Sequence, residues 1–99
     1  MEEIDMEFVE LVNDFLESSR DIRDAAELVD GDPIKQDMIK DTLKEFNESH
    51  SRAEAVRVLV ENSYPESREF ILNELKEITS INNRIAIKIR KRLSPLVWN

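Results

Sequence analysis

The chain has no cysteine, one glycine and three prolines among its 99 residues. Without cysteine it can form no disulfide, no thiolate metal site and no cysteine nucleophile. So few glycines and prolines leave little material for the turns between β-strands. The segments are filled instead by leucine, glutamate, lysine, arginine and alanine, which are strong helix formers. We therefore predict an all-α fold, in one domain spanning residues 1–99.

Long apolar runs are also missing. No run approaches the roughly 18 apolar residues that a membrane span requires. The opening sequence MEEIDMEF is acidic, whereas a secretory signal would be basic and then apolar. The absence of cysteine suits a reducing compartment. We therefore expect a soluble, cytoplasmic protein with no membrane partner.

Motifs that carry catalytic chemistry are absent from the sequence. A single glycine, Gly31, cannot build a phosphate-binding loop, and no serine or threonine lies in a nucleophile motif. The only histidine, His50, forms no Glu-x-x-His pair, and we expect it to face solvent or lie near a helix cap. We predict a non-enzymatic protein with no catalytic residue, no cofactor, no metal site and no small-molecule substrate.

Residues 6–29 have the periodicity of one long amphipathic helix. Its apolar stripe recurs at steps of four and three, through Phe8, Val12, Phe15, Ser19, Ile22, Ala26 and Val29. Acidic residues follow the same rhythm on nearly the opposite side, at Glu3, Glu7, Glu10, Asp14, Glu17, Asp21 and Asp24. Asp30-Gly31-Asp32-Pro33 then marks a boundary, because glycine suits a left-handed helix end, aspartate a cap and proline a first helical position.

The rest of the chain repeats itself. Asp32 to Phe46 is echoed 32 residues later by Tyr64 to Ile78. The echo predicts two helical pairs, at residues 32–62 and 64–93, with turns near 47–51 and 79–83 and an apolar tail at 94–99. With the first helix, at residues 1–30, this gives about five helices.

Within these pairs, the apolar pattern predicts which residues face the core. We expect the short apolar helix at residues 52–62 to be central. In the next helix we expect these residues to face the core: Phe70, Ile71, Leu72, Leu75 and Ile78. In the last helix we expect one face to hold Ile85, Ala86, Ile89 and Leu93, with Ile87 off it.

This alternation of helical pairs resembles HEAT-like α-solenoid repeats. The resemblance covers Pro33 through Asn62 and Pro65 through Leu93, with a proline opening the first helix of each unit. Arg52 and Arg84 open the second helices. The resemblance implies a binding scaffold and supplies no active-site residue. A plain five-helix bundle is the alternative architecture.

The net charge of −8 is unevenly distributed. Residues 1–30 carry eleven acids and two bases, a net charge of −9, whereas residues 78–99 carry five bases and no acid. We predict that partners bind the acidic ridge of the first helix and the basic end of the chain with its terminal tryptophan. The predicted partner-binding residues are Glu7, Glu10, Asp14, Glu17, Asp21, Arg84, Lys88, Arg90, Lys91, Arg92 and Trp98.

Two functions fit this pattern. The first is a small helical adaptor or regulator that binds another protein, or a second copy of itself as a homodimer in which acidic ridge meets basic end. The alternative is a nucleic-acid-associated regulator that grips phosphates with the basic end, or an acidic mimic of nucleic acid. A sequence pI near 4.7 opposes nucleic-acid binding at long range.

The basic residues and Trp98 can also be explained without a partner. The basic residues can be favourable charges at a helix C-terminus or can pair with the acidic ridge. For Trp98 we favour packing back onto the core over insertion into a partner.

Overall fold

The computed structural model describes the backbone of residues 5–97 and the side chains of residues 5–93. It contains three helices, α1 (Met6–Glu27), α2 (Pro33–Met38) and α3 (Lys40–Val97). No strand occurs in the described residues, so the predicted all-α class is confirmed. α3 is interrupted at Ser63, whose φ of −149° and ψ of 37° are not helical. We call the helical segments on either side of Ser63 the first arm (residues 40–62) and the second arm (residues 64–97).

The two arms of α3 lie side by side and run in opposite directions. Lys88 of the second arm pairs with Glu45, near the start of the first arm, at 3.2 Å. Further along the first arm, Arg52 pairs with Glu74 at 2.8 Å. Pro65 follows the reversal, and because proline has no backbone N–H it cannot continue the hydrogen bonding of a straight helix through this point. The reversal makes α3 a helical hairpin.

α1 packs along this hairpin and completes a bundle of three long segments. Asp5, which precedes α1, pairs with Arg68 near the start of the second arm at 2.7 Å. In the middle of α1, Ser18 accepts a hydrogen bond from Asn82 at 3.2 Å. α1 therefore runs parallel to the second arm and antiparallel to the first. The bundle is elongated, with extents of 57 × 20 × 19 Å.

The connection between α1 and α2 has the geometry that its sequence predicts. Gly31 adopts a left-handed conformation with a φ of 75°. The Asp32 carboxylate caps α2 by accepting hydrogen bonds from the backbone N–H groups of Ile34 and Lys35, at 3.1 and 3.2 Å. Pro33 occupies the first position of α2. The predicted boundary is confirmed.

The core consists of two apolar clusters. The first, at the end of the bundle that holds α2, comprises Ile22, Ala25, Val29, Ile39, Ile85, Ala86, Ile89 and Leu93. The second, near the reversal of α3, comprises Val56, Ile71, Leu75 and Ile78. The second arm supplies residues to both clusters. Since each fully buried aliphatic side chain is worth roughly 1.5–3 kcal/mol, this arm is the central element of the fold.

The predicted number of helices, about five, is wrong. The turns expected at residues 47–51 and 79–83 lie within continuous helix in the two arms. The helix expected to run through residues 33–47 is divided at Ile39 instead. Ser49 and Asn82 were expected near turns, but they hydrogen-bond to each other between the arms at 2.7 Å. Each expected helical pair therefore corresponds largely to one arm of the hairpin.

Burial agrees with the expectation along the second arm except at Phe70, and departs from it in the segment at residues 52–62. Of the residues expected inward at the start of the second arm, Ile71, Leu72, Leu75 and Ile78 are all buried. The segment at residues 52–62 is not central, because Val58 is exposed and only Val56 is buried. Phe70, expected inside, is 55% exposed. The predicted face of the last segment is confirmed by four buried residues, with Ile87 exposed outside it: Ile85, Ala86, Ile89 and Leu93.

Candidate protein-binding groove

A long apolar groove runs between α1 and the first arm. Leu75 and Asn82 of the second arm form its floor. It encloses about 790 Å³, which is within the range of sites that hold ligands. Its apolar and aromatic lining is made by Phe8, Val12, Phe15, Leu16, Ile22 and Ala26 of α1 and by Leu43, Phe46, His50, Ala53, Val56 and Val60 of the first arm.

The groove exists because three segments do not cover the whole apolar surface of α1. The side of α1 that meets the second arm is fully packed, and Ser18 and Ala25 are buried there. The stripe predicted from the sequence faces the first arm, and its aromatic residues Phe8 and Phe15 are only half-buried. In a four-helix bundle a further helix would cover a face of this kind.

Three buried polar side chains fix the alignment of the groove walls. The Ser49 hydroxyl donates to Asn82 Oδ1 at 2.7 Å, and Asn82 Nδ2 donates to Ser18 Oγ at 3.2 Å. The Ser18 hydroxyl in turn donates to the carbonyl of Phe15 at 2.7 Å. We call Ser18, Ser49 and Asn82 the polar triad. It joins α1 and both arms at one level, with about 1 kcal/mol expected from each hydrogen bond.

The end of the groove near the reversal of α3 is held by a cluster around Asp5. The Arg68 guanidinium donates to the Asp5 carboxylate at 2.7 and 3.1 Å, and the Tyr64 hydroxyl donates to it as well. The hydrogen bond from Arg68, and to a smaller extent the one from Tyr64, holds the pKa of the Asp5 carboxylate well below its usual range. Two causes raise the pKa of the Tyr64 hydroxyl: burial is the larger, and the hydrogen bond to Asp5 is the smaller. Phe8 packs against the Tyr64 ring with centroids 4.9 Å apart, so this cluster also positions an aromatic residue of the groove.

Charged residues lie on both rims of the groove. Arg23 lines it from α1, and Glu54 and Arg57 line it from the first arm. Arg57 bonds to Glu54 at 3.0 Å and to Glu61 at 2.8 Å. These carboxylates raise the pKa of Arg57. The charged residues that line the groove from the first arm, Glu54 and Arg57, therefore pair with each other, and Glu61 holds Arg57 from outside the lining.

The predicted acidic ridge lies outside the groove. The predicted contact residues of the ridge are all exposed on α1: Glu7, Glu10, Asp14, Glu17 and Asp21. Helical spacing places them on nearly the opposite side from the stripe that lines the groove. Glu7 contacts Arg68 at 3.6 Å. The ridge stays a predicted interaction surface.

The predicted basic end is exposed and partly engaged by the chain itself. Lys88 pairs with Glu45 of the first arm, and Arg92 donates to the carbonyl of Met38 at 3.0 Å. Arg84, Arg90 and Lys91 are exposed. In the described residues no ion pair joins this end to the acidic ridge of α1, so the two surfaces are not brought together.

The remaining predicted contact residue, Trp98, lies outside the described residues. His50 is exposed within the first arm and lines the groove, with its ring centroid 6.2 Å from that of Phe46.

The groove was not predicted from the sequence, although the sequence of the first arm carries a signal for it. Leu43, Phe46, His50, Ala53 and Val60 keep one helical phase along the first arm. The turn predicted at residues 47–51 interrupted that phase. If the first arm is taken as one uninterrupted helix, its apolar residues form a stripe. That stripe can face the apolar stripe of α1.

Comparisons with known proteins add no homologue. No protein-family model matches the chain, and neither a curated protein nor a solved structure matches it.

In the described part of the chain, no group of three or more metal-ligating side chains is close enough to hold an ion. None of the helices in residues 5–97 has both the length and the apolar character of a membrane span.

Proposed function

We propose that this chain is a non-enzymatic protein-interaction module that binds the apolar face of another helical chain in the groove. The observation that carries the proposal is an open groove of about 790 Å³ lined by three phenylalanines. A partly open, mostly apolar groove of this volume is typical of a binding site. Helices with an apolar stripe bind such grooves through residues spaced at i, i+3, i+4 and i+7.

The dimensions of the groove suit a helix. Its lining on α1 runs from Phe8 to Ala26, which corresponds to about 27 Å at about 1.5 Å per residue. A bound helix of about 18 residues would match that length. The floor is made of buried residues already fixed by the polar triad, so the site is formed before the partner arrives.

The polar groups of the groove favour binding over chemistry. Ser49 and Asn82 already hydrogen-bond to each other, so neither is free to activate a nucleophile or a water. Arg57 is held by two carboxylates.

The first experiment places a charge in the middle of the groove. Ala53 is half-buried in the groove, whereas Ala55, two residues along the same arm, is exposed outside it. The probe is a fluorescently labelled, designed amphipathic helix of about 18 residues with a leucine stripe, titrated into dilute protein. We expect the wild type and Ala55→Glu to bind equally, and Ala53→Glu to bind at least about tenfold more weakly, because the carboxylate would lose its water on binding.

The control variant separates loss of binding from loss of folding. Ala53→Glu and Ala55→Glu should have the same helical circular dichroism as the wild type. A wild type that fails to bind the amphipathic helix, or an Ala53→Glu variant that binds as well as Ala55→Glu, would overturn the proposed function.

The resemblance to HEAT-like repeats also implies a binding scaffold, and it stays a prediction. The same holds for the adaptor or regulator role and for the nucleic-acid alternatives. The groove supports a protein partner most directly, because its lining is apolar and the chain is acidic overall.

A further inference from the structure

His50 places an imidazole in the middle of the apolar groove. It is the only histidine of the chain, and it lies on the lining face of the first arm between Phe46 and Ala53. Its ring centroid is 6.2 Å from that of Phe46. Because the lining of the first arm runs from Leu43 to Val60, a helix that fills the groove along its length must cover this ring.

The backbone that carries His50 is held in place by the polar triad. The neighbouring Ser49 donates to Asn82 of the second arm, and Asn82 donates to Ser18 of α1. These hydrogen bonds join all three long segments beside His50. A backbone shift that carried the imidazole away from a partner would break them, and the buried polar groups would be left unpaired.

The charged groups around the imidazole do not neutralise an added positive charge. From α1, the charged residue that lines the groove is Arg23, which has the same sign as a protonated histidine. The floor residues of the second arm are uncharged. On the first arm, Glu54 lies one turn beyond His50, but it already bonds to Arg57 at 3.0 Å. A protonated imidazole would therefore share the groove with a cation, and the carboxylate one turn away is already paired.

We propose that protonation of His50 controls the groove, so that the groove binds an apolar helix while this imidazole is neutral and releases it when the imidazole is charged. This inference rests on the proposed function and concerns the regulation of the same site. A bound helix would remove water from the imidazole, and a charge that loses its water without gaining a partner costs free energy. Histidine is the only side chain whose unperturbed charge change lies between pH 5 and 8, so the control acts in that range.

The direction of the effect follows from linkage between the helix and the proton. The bound helix favours the neutral imidazole, so helix binding and proton uptake oppose each other to the same extent. The affinity is highest above the range in which histidine titrates, and it falls as the pH drops through that range. One proton can weaken binding by at most about tenfold per pH unit, and we expect binding to be about fivefold weaker at pH 5.5 than at pH 7.5.

The test is a titration of the full chain with a labelled amphipathic helix at pH 7.5 and at pH 5.5. The probe has blocked termini, leucine on its apolar face, and glutamine and lysine on its polar face, so that none of its groups titrates in this range. We expect the wild type to bind about fivefold more weakly at pH 5.5, and His50→Gln to bind equally at both pH values. Glutamine keeps a polar side chain at this position but cannot take up a proton.

Ala55 allows a matched control, because it is exposed on the same arm outside the groove. The double variant with His50→Gln and Ala55→His keeps one histidine in the chain but moves it out of the groove. Its binding should also be independent of pH, and circular dichroism at both pH values checks that the variants are as helical as the wild type. A loss of affinity at pH 5.5 in the double variant as large as that of the wild type would overturn the inference.

Failure of this inference can be told apart from failure of the proposed function. A wild type that binds the helix equally at both pH values would exclude the control by His50 and leave the groove as a binding site. A His50→Gln variant that loses affinity as the wild type does would have the same meaning. A wild type that binds the helix at neither pH would exclude both the proposed function and this inference.

Discussion

Asn82 joins the three long segments through one side chain. Its carbonyl accepts from Ser49 of the first arm, and its amide donates to Ser18 of α1. It is 2% exposed, so water cannot replace either partner. A buried asparagine of this kind fixes the register of helices, at some cost in stability relative to an apolar residue.

Replacing Asn82 by alanine should therefore be costly. The change leaves the Ser49 hydroxyl without its acceptor and opens a cavity, and we expect the free energy of unfolding to fall by about 2–4 kcal/mol. Urea denaturation measures this. The neighbouring Asn83→Ala is the control, because Asn83 is exposed and the change should be within about 0.5 kcal/mol. Equal urea midpoints for the two variants would show that the triad does not stabilise the fold.

Asp5 combines two separable roles. Its carboxylate caps α1 by accepting from the Phe8 N–H at 3.2 Å, and it also binds Arg68. Asparagine can still cap a helix but cannot form an ion pair. Asp5→Asn therefore removes the charge and keeps the cap.

This predicts a pH-dependent difference in stability. The pKa of Asp5 is lower in the folded chain than its ordinary value of 3.8, so its ion pair stabilises the fold above about that pH. The contribution is lost as the pH falls toward the folded-state pKa. We expect Asp5→Asn to be less stable than the wild type at pH 7 and the difference to shrink at pH 3, measured by denaturation at each pH. Asp14→Asn, an exposed carboxylate on the acidic ridge, should show a smaller difference at pH 7.

Among the elements, α1 was the most predictable and α3 the least. The expected helix at residues 6–29 ends within two residues of the observed Met6–Glu27, because its periodicity is unbroken and Gly31 marks the boundary. In α3, serine and asparagine residues suggested caps and turns. The side-chain hydrogen-bonding groups of serine and asparagine can equally find a partner across a helix interface, as they do in the polar triad. Only the packed structure shows whether such a residue caps a helix or joins two helices.

The continuity of the second arm can be tested with proline. Ser80 is exposed and lies inside a segment expected to be a turn, which the structure shows as helix. Ser80→Pro should lower the free energy of unfolding by about 3 kcal/mol or more, because proline removes a helical hydrogen bond and clashes with the preceding turn. Ser80→Ala should remain within about 0.5 kcal/mol of the wild type. A proline variant as stable as the alanine variant would indicate a turn at this position.

At the scale of the whole molecule, the groove could not be predicted from the sequence patterns of the separate helices. The stripe on α1 was identified from residues 8 to 29, but a stripe does not reveal whether a neighbour covers it. That depends on how far α1 and the first arm separate above the second arm, which is set by contacts between distant residues. The charged surfaces, in contrast, were visible in the sequence because they depend on composition alone.

The charge of the whole molecule gives a prediction for nucleic acid. With a net charge of −8, and with Lys88 and Arg92 engaged by the chain itself, we expect no binding to duplex DNA or single-stranded RNA at physiological salt. Titrations at two salt concentrations measure this. Salt-sensitive binding that disappears when Arg90, Lys91 and Arg92 are changed to glutamate would favour the nucleic-acid alternative instead.

The parallel course of α1 and the second arm has a mechanical consequence. Residues 5 and 97 lie toward opposite ends of a body 57 Å long. Tension applied between them acts along the helix interfaces, so both apolar clusters and the polar triad must slide at the same time. Under such shear loading, contacts do not open one after another as they do when a hairpin is peeled apart.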